Sequence, residues 1–134
     1  MPRKPIKAQG VRSQKKSNNR LALVEKNLIG TESADDMMAE VSKALASTQS
    51  EVPMVGNYYI FTYVAAKRGL LTDLYPLVAV TGVYGWGFTG INLHLGEQRN
   101  YNYPVMMSPL YEVKSTELDS ARNLPLKMLV KNPD

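Results

Sequence analysis

The sequence contains no cysteine and a single histidine, His94. The first absence excludes a disulfide framework, cysteine-ligated zinc or iron–sulfur sites and thiol nucleophiles. The second requires any acid–base scheme to run through His94 or through carboxylates. No apolar run approaches the ~20 residues that a membrane span requires. The basic N-terminal stretch lacks a following apolar segment, so neither membrane insertion nor a secretory signal is expected. Aromatic residues are missing from the first 57 positions: all eight Tyr, both Phe and Trp86 fall between Tyr58 and Tyr111. Aromatic side chains bury the most area per residue. A physical boundary near Gly56 is therefore expected, with arm and helix before it and the core after it.

What is present is a chain of 134 residues, 44% hydrophobic and 21% charged, which suits one compact domain with appendages. A soluble, intracellular or particle-associated protein is the expectation. The net charge of +4 is unevenly placed. Residues 1–26 hold eight basic side chains against Glu25 alone, a net +7, and the other 108 residues carry −3. Basic character thus belongs to an arm and not to the domain. Residues 1–20 are rich in Pro, Lys, Arg, Gln, Ser and Asn without apolar periodicity, a composition that does not offset the entropy of ordering in isolation. Two readings of the arm stand side by side. One is a solvated tail. The other is an arm ordered by phosphates or by an acidic protein surface through Arg3, Lys4, Lys7, Arg12, Lys15, Lys16 and Arg20.

Leu21–Val24 and Leu28-Ile29, ended by Gly30, form a short apolar stretch readable as a helical turn or as a docking strip. From Ser33 the pattern is clearer. Ser33 with Asp36 gives a cap-like start, Asp35 and Asp36 suit a helix N-terminus, and Met37, Met38, Val41, Ala44 and Leu45 share one face of a helix over roughly 34–47. Residues 57–65 read as a strand apolar on both faces, with Tyr59, Phe61 and Tyr63 on one side and Tyr58, Ile60 and Val64 on the other. Such a strand is expected to be covered twice. Residues 75–81 form a second strand and Gly85-Trp86-Gly87 a tight turn. Residues 88–95 form a third strand, placing Ile91, Leu93 and Leu95 together, with Gly90 at a bulge or corner. A polar loop is expected over Glu97–Asn102, then a weaker strand at Val105–Met107 or Tyr111–Val113. A short helix near 115–122 is expected to lead into an extended, apolar segment.

The fold expected is mostly β: a small SH3-like, partly open barrel with an N-terminal amphipathic helix and extended terminal arms. The corresponding divisions are a basic extended arm at 1–32, helix and linker at 33–50, barrel at 51–113 and a docking tail at 114–134. A core this small is marginal alone. The apolar side chains of its ends, Leu21, Leu23, Leu28, Ile29, Leu124, Leu126 and Leu129, are therefore expected to bind neighbouring subunits.

Chemistry is sparse. No Ser-His-Asp or Ser-Lys constellation is specified. Asp35-Asp36 is better explained by the helix dipole than by a metal. Gly-Trp-Gly-Phe-Thr-Gly lacks the Lys-Ser/Thr pair and following helix of a phosphate loop. His94, between Leu93 and Leu95, reads as a structural hydrogen-bonding residue facing away from the core. No enzymatic activity, cofactor or metal is expected.

Tyr75-Pro76-Leu77-Val78, Gly87-Phe88 and Gly90-Ile91-Asn92-Leu93-His94 together resemble a pattern in small barrel-like proteins of T4-like tailed phages, including cyanophages. The match spans roughly residues 58–95. It departs after His94, where Leu95-Gly96-Glu97-Gln98-Arg99 replaces an aromatic and a Pro-rich basic segment. The resemblance implies a virion protein, assembled in the host cytoplasm, that joins other phage structural proteins in a hetero-oligomeric neck, tail or baseplate. It transfers no catalytic residue. The alternative is a non-specific DNA-binding protein acting on phage DNA through the basic arm. A third reading is a regulator of one host protein.

Overall fold

The computed structural model describes residues 19–65 and 71–131. They form a mixed domain with two sheets, of six and two strands, and three short helices; neither sheet closes into a barrel. Helix α1 (Ala22–Lys26) and helix α2 (Ala34–Ala44) come first. Strands β1 (Gln49–Ser50), β2 (Tyr58–Ile60), β3 (Leu71–Asp73), β4 (Leu77–Val83), β5 (Gly87–Asn92), β6 (Glu97–Asn102) and β7 (Leu110–Val113) follow. A 3₁₀ turn at Tyr103–Val105 separates β6 from β7, and another at Ser115–Glu117 leads into α3 (Leu118–Asn123) and β8 (Leu129–Lys131). The larger sheet runs β1-β7-β2-β4-β5-β6, with every pairing antiparallel. Strands β3 and β8 pair separately.

Helix α2 starts where its chemistry dictates: the Ser33 hydroxyl accepts the Asp36 N–H at 3.1 Å, and Asp35 and Asp36 sit in the positive first turn. Its Met37, Met38 and Val41 are buried beside Leu21, Leu45, Ala121, Leu124 and Leu126 against Ile60, Leu77 and Val113 of the large sheet. Along β2 the side chains alternate between this cluster and a second, aromatic one. Tyr59, Phe61 and Tyr63 join Val78, Val80, Phe88, Tyr101 and Leu110 there. Phe61 packs edge-on against Tyr101 and Phe88, with ring centroids 5.3 and 5.7 Å apart. The double covering expected of this strand is thus supplied from within the chain.

Several elements differ from the sequence expectation. Glu97–Asn102 is a strand and not a loop: β6 pairs with β5 along its whole length, and buried Tyr101 anchors it on the aromatic cluster. Its polar side chains face outward, as an edge strand allows. The third strand ends at Asn92, and its inward face is Phe88, Gly90 and Asn92, leaving Ile91 exposed. The bulge lies opposite Gly90, on β4 between Val80 and Gly82. Gly90 itself is required by close approach, since a Cβ there would sit 2.7 Å from the Ala79 carbonyl oxygen and closer still to the Val78 side chain. The expected mostly-β domain is mixed because the stretches read as terminal arms carry α1, left open as a helical turn or a docking strip, and α3, which stands close to the short helix expected near 115–122.

Those two stretches are tied together by an ion pair. Glu117 is fully buried, and its carboxylate accepts Arg20 N, Nε and one terminal guanidinium nitrogen at 2.7 Å each and Lys114 N at 2.9 Å. The guanidinium also donates to Thr48 Oγ1 at 2.8 Å and to the Glu112 carbonyl at 3.2 Å. Burial pushes the Glu117 carboxyl up, but Arg20 and the backbone donors outweigh it and hold the group below its ordinary 4.5.

Arg20→Ala strands a buried carboxylate and is expected to cost about 3–5 kcal/mol in urea unfolding at neutral pH. A loss under about 1 kcal/mol would show the pair to be dispensable. A carboxyl depressed in the fold stabilises it above the unfolded value and loses that contribution as pH falls through the folded one. Stability should therefore decline as pH drops below 4.5, and Glu117→Gln should flatten that decline. Separately, Gly90→Ala should destabilise by about 1–3 kcal/mol through overpacking. Gly85→Ala, in open space, serves as the near-neutral control.

Candidate functional site

The sequence-predicted side chains fall into three groups. Leu21, Leu124 and Leu126 are buried in the chain's own core, and half-buried Leu28 packs on it, so their apolar area is covered without a neighbour. Leu23, Ile29 and Leu129 are exposed. Arg20 has an acidic partner inside the molecule, Glu117, and so leaves the set facing outward. Arg3, Lys4, Lys7, Arg12, Lys15 and Lys16 lie outside the described residues.

A second set of exposed apolar side chains lies elsewhere. The β4–β5 turn is closed by Tyr84 N donating to the Gly87 carbonyl at 2.8 Å. It holds Tyr84 and Trp86 stacked at 5.3 Å with ring planes 3° apart. Both are about half exposed, so the pair presents stacked rings to solvent. The Trp86 carbonyl accepts Tyr103 N at 3.1 Å, which joins this turn to the 3₁₀ segment before β7. Beyond Tyr103 opens a shallow cavity of about 560 Å³ lined in part by Val52, Met106, Met107 and Pro109. Val52 and Met107 are 63% and 67% exposed, so the cavity rim, like the turn, presents large apolar side chains to solvent. That composition is typical of protein contact surfaces. Sequence reading noted Gly85-Trp86-Gly87 as a turn but had no means of pairing Trp86 with Tyr84, Tyr103 and Met107.

The polar centre of the domain is a second site. Asp73, at the end of β3, is 3% exposed and accepts three donors. These are His94 Nδ1 at 2.7 Å, Asn92 Nδ2 at 3.2 Å on the same oxygen and Met128 N at 3.3 Å on the other. Asn92 Nδ2 also donates to the Tyr101 hydroxyl at 3.4 Å. Asn92 Oδ1 in turn accepts the His94 and Leu95 N–H groups at 2.9 and 3.2 Å, capping the turn that carries His94. Burial pushes the Asp73 carboxyl up, but His94, Asn92 and Met128 outweigh it and leave the group below its ordinary value. An ionised Asp73 fixes the proton on Nδ1. His94 is therefore turned into the structure, with its side chain 7% exposed, in place of the outward position expected, while its hydrogen-bonding role is kept.

A histidine oriented by a carboxylate is half of a nucleophile–base arrangement. The other half is a hydroxyl within reach of Nε2, and among the described residues Nε2 has no hydrogen-bond partner. No cluster of three or more metal-ligating side chains occurs among the described residues either. What the arrangement accomplishes in the fold is mechanical: one carboxylate ties β3, the β5–β6 turn and the start of β8. Asp73→Ala unpairs these donors and should cost about 1–3 kcal/mol. Hydrogen exchange in β8 should accelerate at least tenfold in that variant, with β4–β6 little changed; uniform acceleration would show that the tie has no local role. Compared with known proteins, the chain matches no family model, no curated protein and no solved structure.

Proposed function

We propose that this chain is a structural protein of a tailed-phage virion, a small junction or clamp subunit that binds other structural proteins and performs no catalysis. The observation that carries the reading is a pair of exposed apolar features, the stacked Tyr84–Trp86 rings and the cavity rim at Met107 and Val52, linked through the Tyr103–Trp86 backbone hydrogen bond on a domain whose own core is already covered on both faces. The contact assigned to the chain ends in the sequence thus moves to these features, with exposed Leu23, Ile29 and Leu129 as secondary contacts. We read the larger sheet as an SH3-like, partly open barrel. A first strand (β2), a long excursion, the β4-β5-β6 meander, a 3₁₀ turn and a last strand (β7) returning beside the first support that reading.

The test is mass spectrometry of purified, nuclease-treated particles, with the chain quantified against the major capsid protein. A fixed, low ratio is expected. In particles assembled with Trp86→Ser/Met107→Ser, incorporation should fall at least tenfold, about 1.4 kcal/mol or more of lost contact. Absence from native particles would overturn the virion reading. Absence combined with DNA binding that weakens steeply with salt would select the DNA-binding alternative through Arg3, Lys4, Lys7, Arg12, Lys15 and Lys16.

A further inference from the structure

The cavity of about 560 Å³ beyond Tyr103 has a wall of mixed character. Val52, Met107 and Pro109 make much of it apolar, and Ser50 and Ser108 add hydroxyls. Glu51 is the one charged side chain among the described residues that line it. It is exposed and has no hydrogen-bond or ion-pair partner among the described residues. An occupant that suits this wall is a short segment, apolar in part and basic in part.

The chain contains such a segment, Pro2-Arg3-Lys4-Pro5-Ile6-Lys7, outside the described residues. Residues 1–18 hold six cations and no carboxylate side chain, so nothing within that stretch neutralises them. The described chain begins at Asn19, and this end lies close to the cavity. Arg20 donates to Ser47 Oγ at 3.3 Å and to Thr48 Oγ1 at 2.8 Å. Ser50 and Glu51 of the cavity wall follow Thr48 directly, which puts the cavity edge roughly 20 Å from the Arg20 backbone at most. The backbone from Lys7 to Asn19 reaches roughly 40 Å when extended, so the span is covered with slack. A segment tethered in this way presents itself at roughly millimolar effective concentration, and a weak contact then suffices.

We propose that the cavity is occupied by the chain's own Pro2–Lys7. Pro2, Pro5 and Ile6 lie against the apolar wall, and the cations lie beside Glu51. In polyproline geometry, with three residues per turn, Pro2 and Pro5 share one edge and Lys4 and Lys7 another, so both contacts form together. The two prolines also lower the ordering cost of docking. The docked segment covers the rim at Val52 and Met107 until a partner displaces it. That regulatory consequence rests on the partner-binding role proposed above, whereas the docking itself does not.

The absence of cysteine makes the test direct, because Ala8→Cys accepts a nitroxide at a single position of the full-length chain. Paramagnetic relaxation enhancement is read at the Met107 methyl by NMR. Strong enhancement is expected in the tagged chain, and none in a labelled, untagged chain mixed with tagged, unlabelled chain. Glu51→Lys, at an exposed position, should reduce the enhancement roughly threefold or more, as reversal of surface charge pairs predicts. Adding Arg3→Glu/Lys4→Glu/Lys7→Glu to Glu51→Lys should restore it. No enhancement at Met107, enhancement only between chains, or enhancement unchanged by Glu51→Lys would overturn the proposal. The readout uses the isolated chain, so its failure is distinct from absence of the chain from particles.

Discussion

A carboxylate at zero exposure is the constraint from which much of this architecture follows. Glu117 lies where water does not reach, and an unpaired charge there is prohibitively expensive. Arg20 meets the requirement with its side chain and its backbone N–H together. Placing Arg20 sets Leu21 into the core and starts α1, and α1 then packs on α3. The same guanidinium reaches Thr48 and the Glu112 carbonyl, which fixes the end of the α2 segment against β7. One ion pair thereby joins three stretches that are far apart in sequence, around Arg20, Thr48 and Glu112–Glu117.

Periodic and punctuated features were legible in the sequence. Helix α2 and its Ser33 cap, the two-faced strand at β2, the Gly85–Gly87 turn, the later strand at β7 and the helix near 118 stand close to where apolar spacing and turn residues put them. What was not legible depends on partners distant in the chain. Strand β6 is made of Glu, Gln, Arg and Asn, which have poor strand propensity, and only Tyr101 and pairing with β5 make it one. Leu21, Leu124 and Leu126 looked like docking residues because no local pattern says that the two ends meet. Arg20 looked like one cation of an arm because its carboxylate is 97 residues away. Asp73 carried no signal at all. The Asn92-Leu93-His94 string was visible, but its purpose requires knowing that β3 passes beside it.

The two polar ties divide the molecule's tasks. The Arg20–Glu117 pair closes the helical layer over one face of the large sheet. The Asp73 centre fastens the small sheet to the β5–β6 turn, and through Met128 it holds the chain that follows α3. The aromatic cluster has no charged member; Phe61 and Tyr63 meet Tyr101 edge to face, and Phe88 stacks on it. Leu21, Leu124 and Leu126 are fastened internally, whereas the stacked Tyr84–Trp86 pair is exposed on a short turn between two well-paired strands. Such a pair is stacked before any partner arrives, which lowers the ordering cost of association.

The distance in sequence between Arg20 and Glu117 has a consequence for how the molecule comes into being. A ribosome adds roughly 5–20 residues per second, so for several seconds Leu21, Met37 and Val41 exist without the helix that covers them. The meander β4-β5-β6 is local and is free to form during that interval, but the helical layer waits for residue 117. Its closure is dominated by contacts between remote segments, the kind of topology that folds slowly. A meander formed in that interval would show one uncovered apolar face, open to chaperones and neighbouring chains until the last helix arrives.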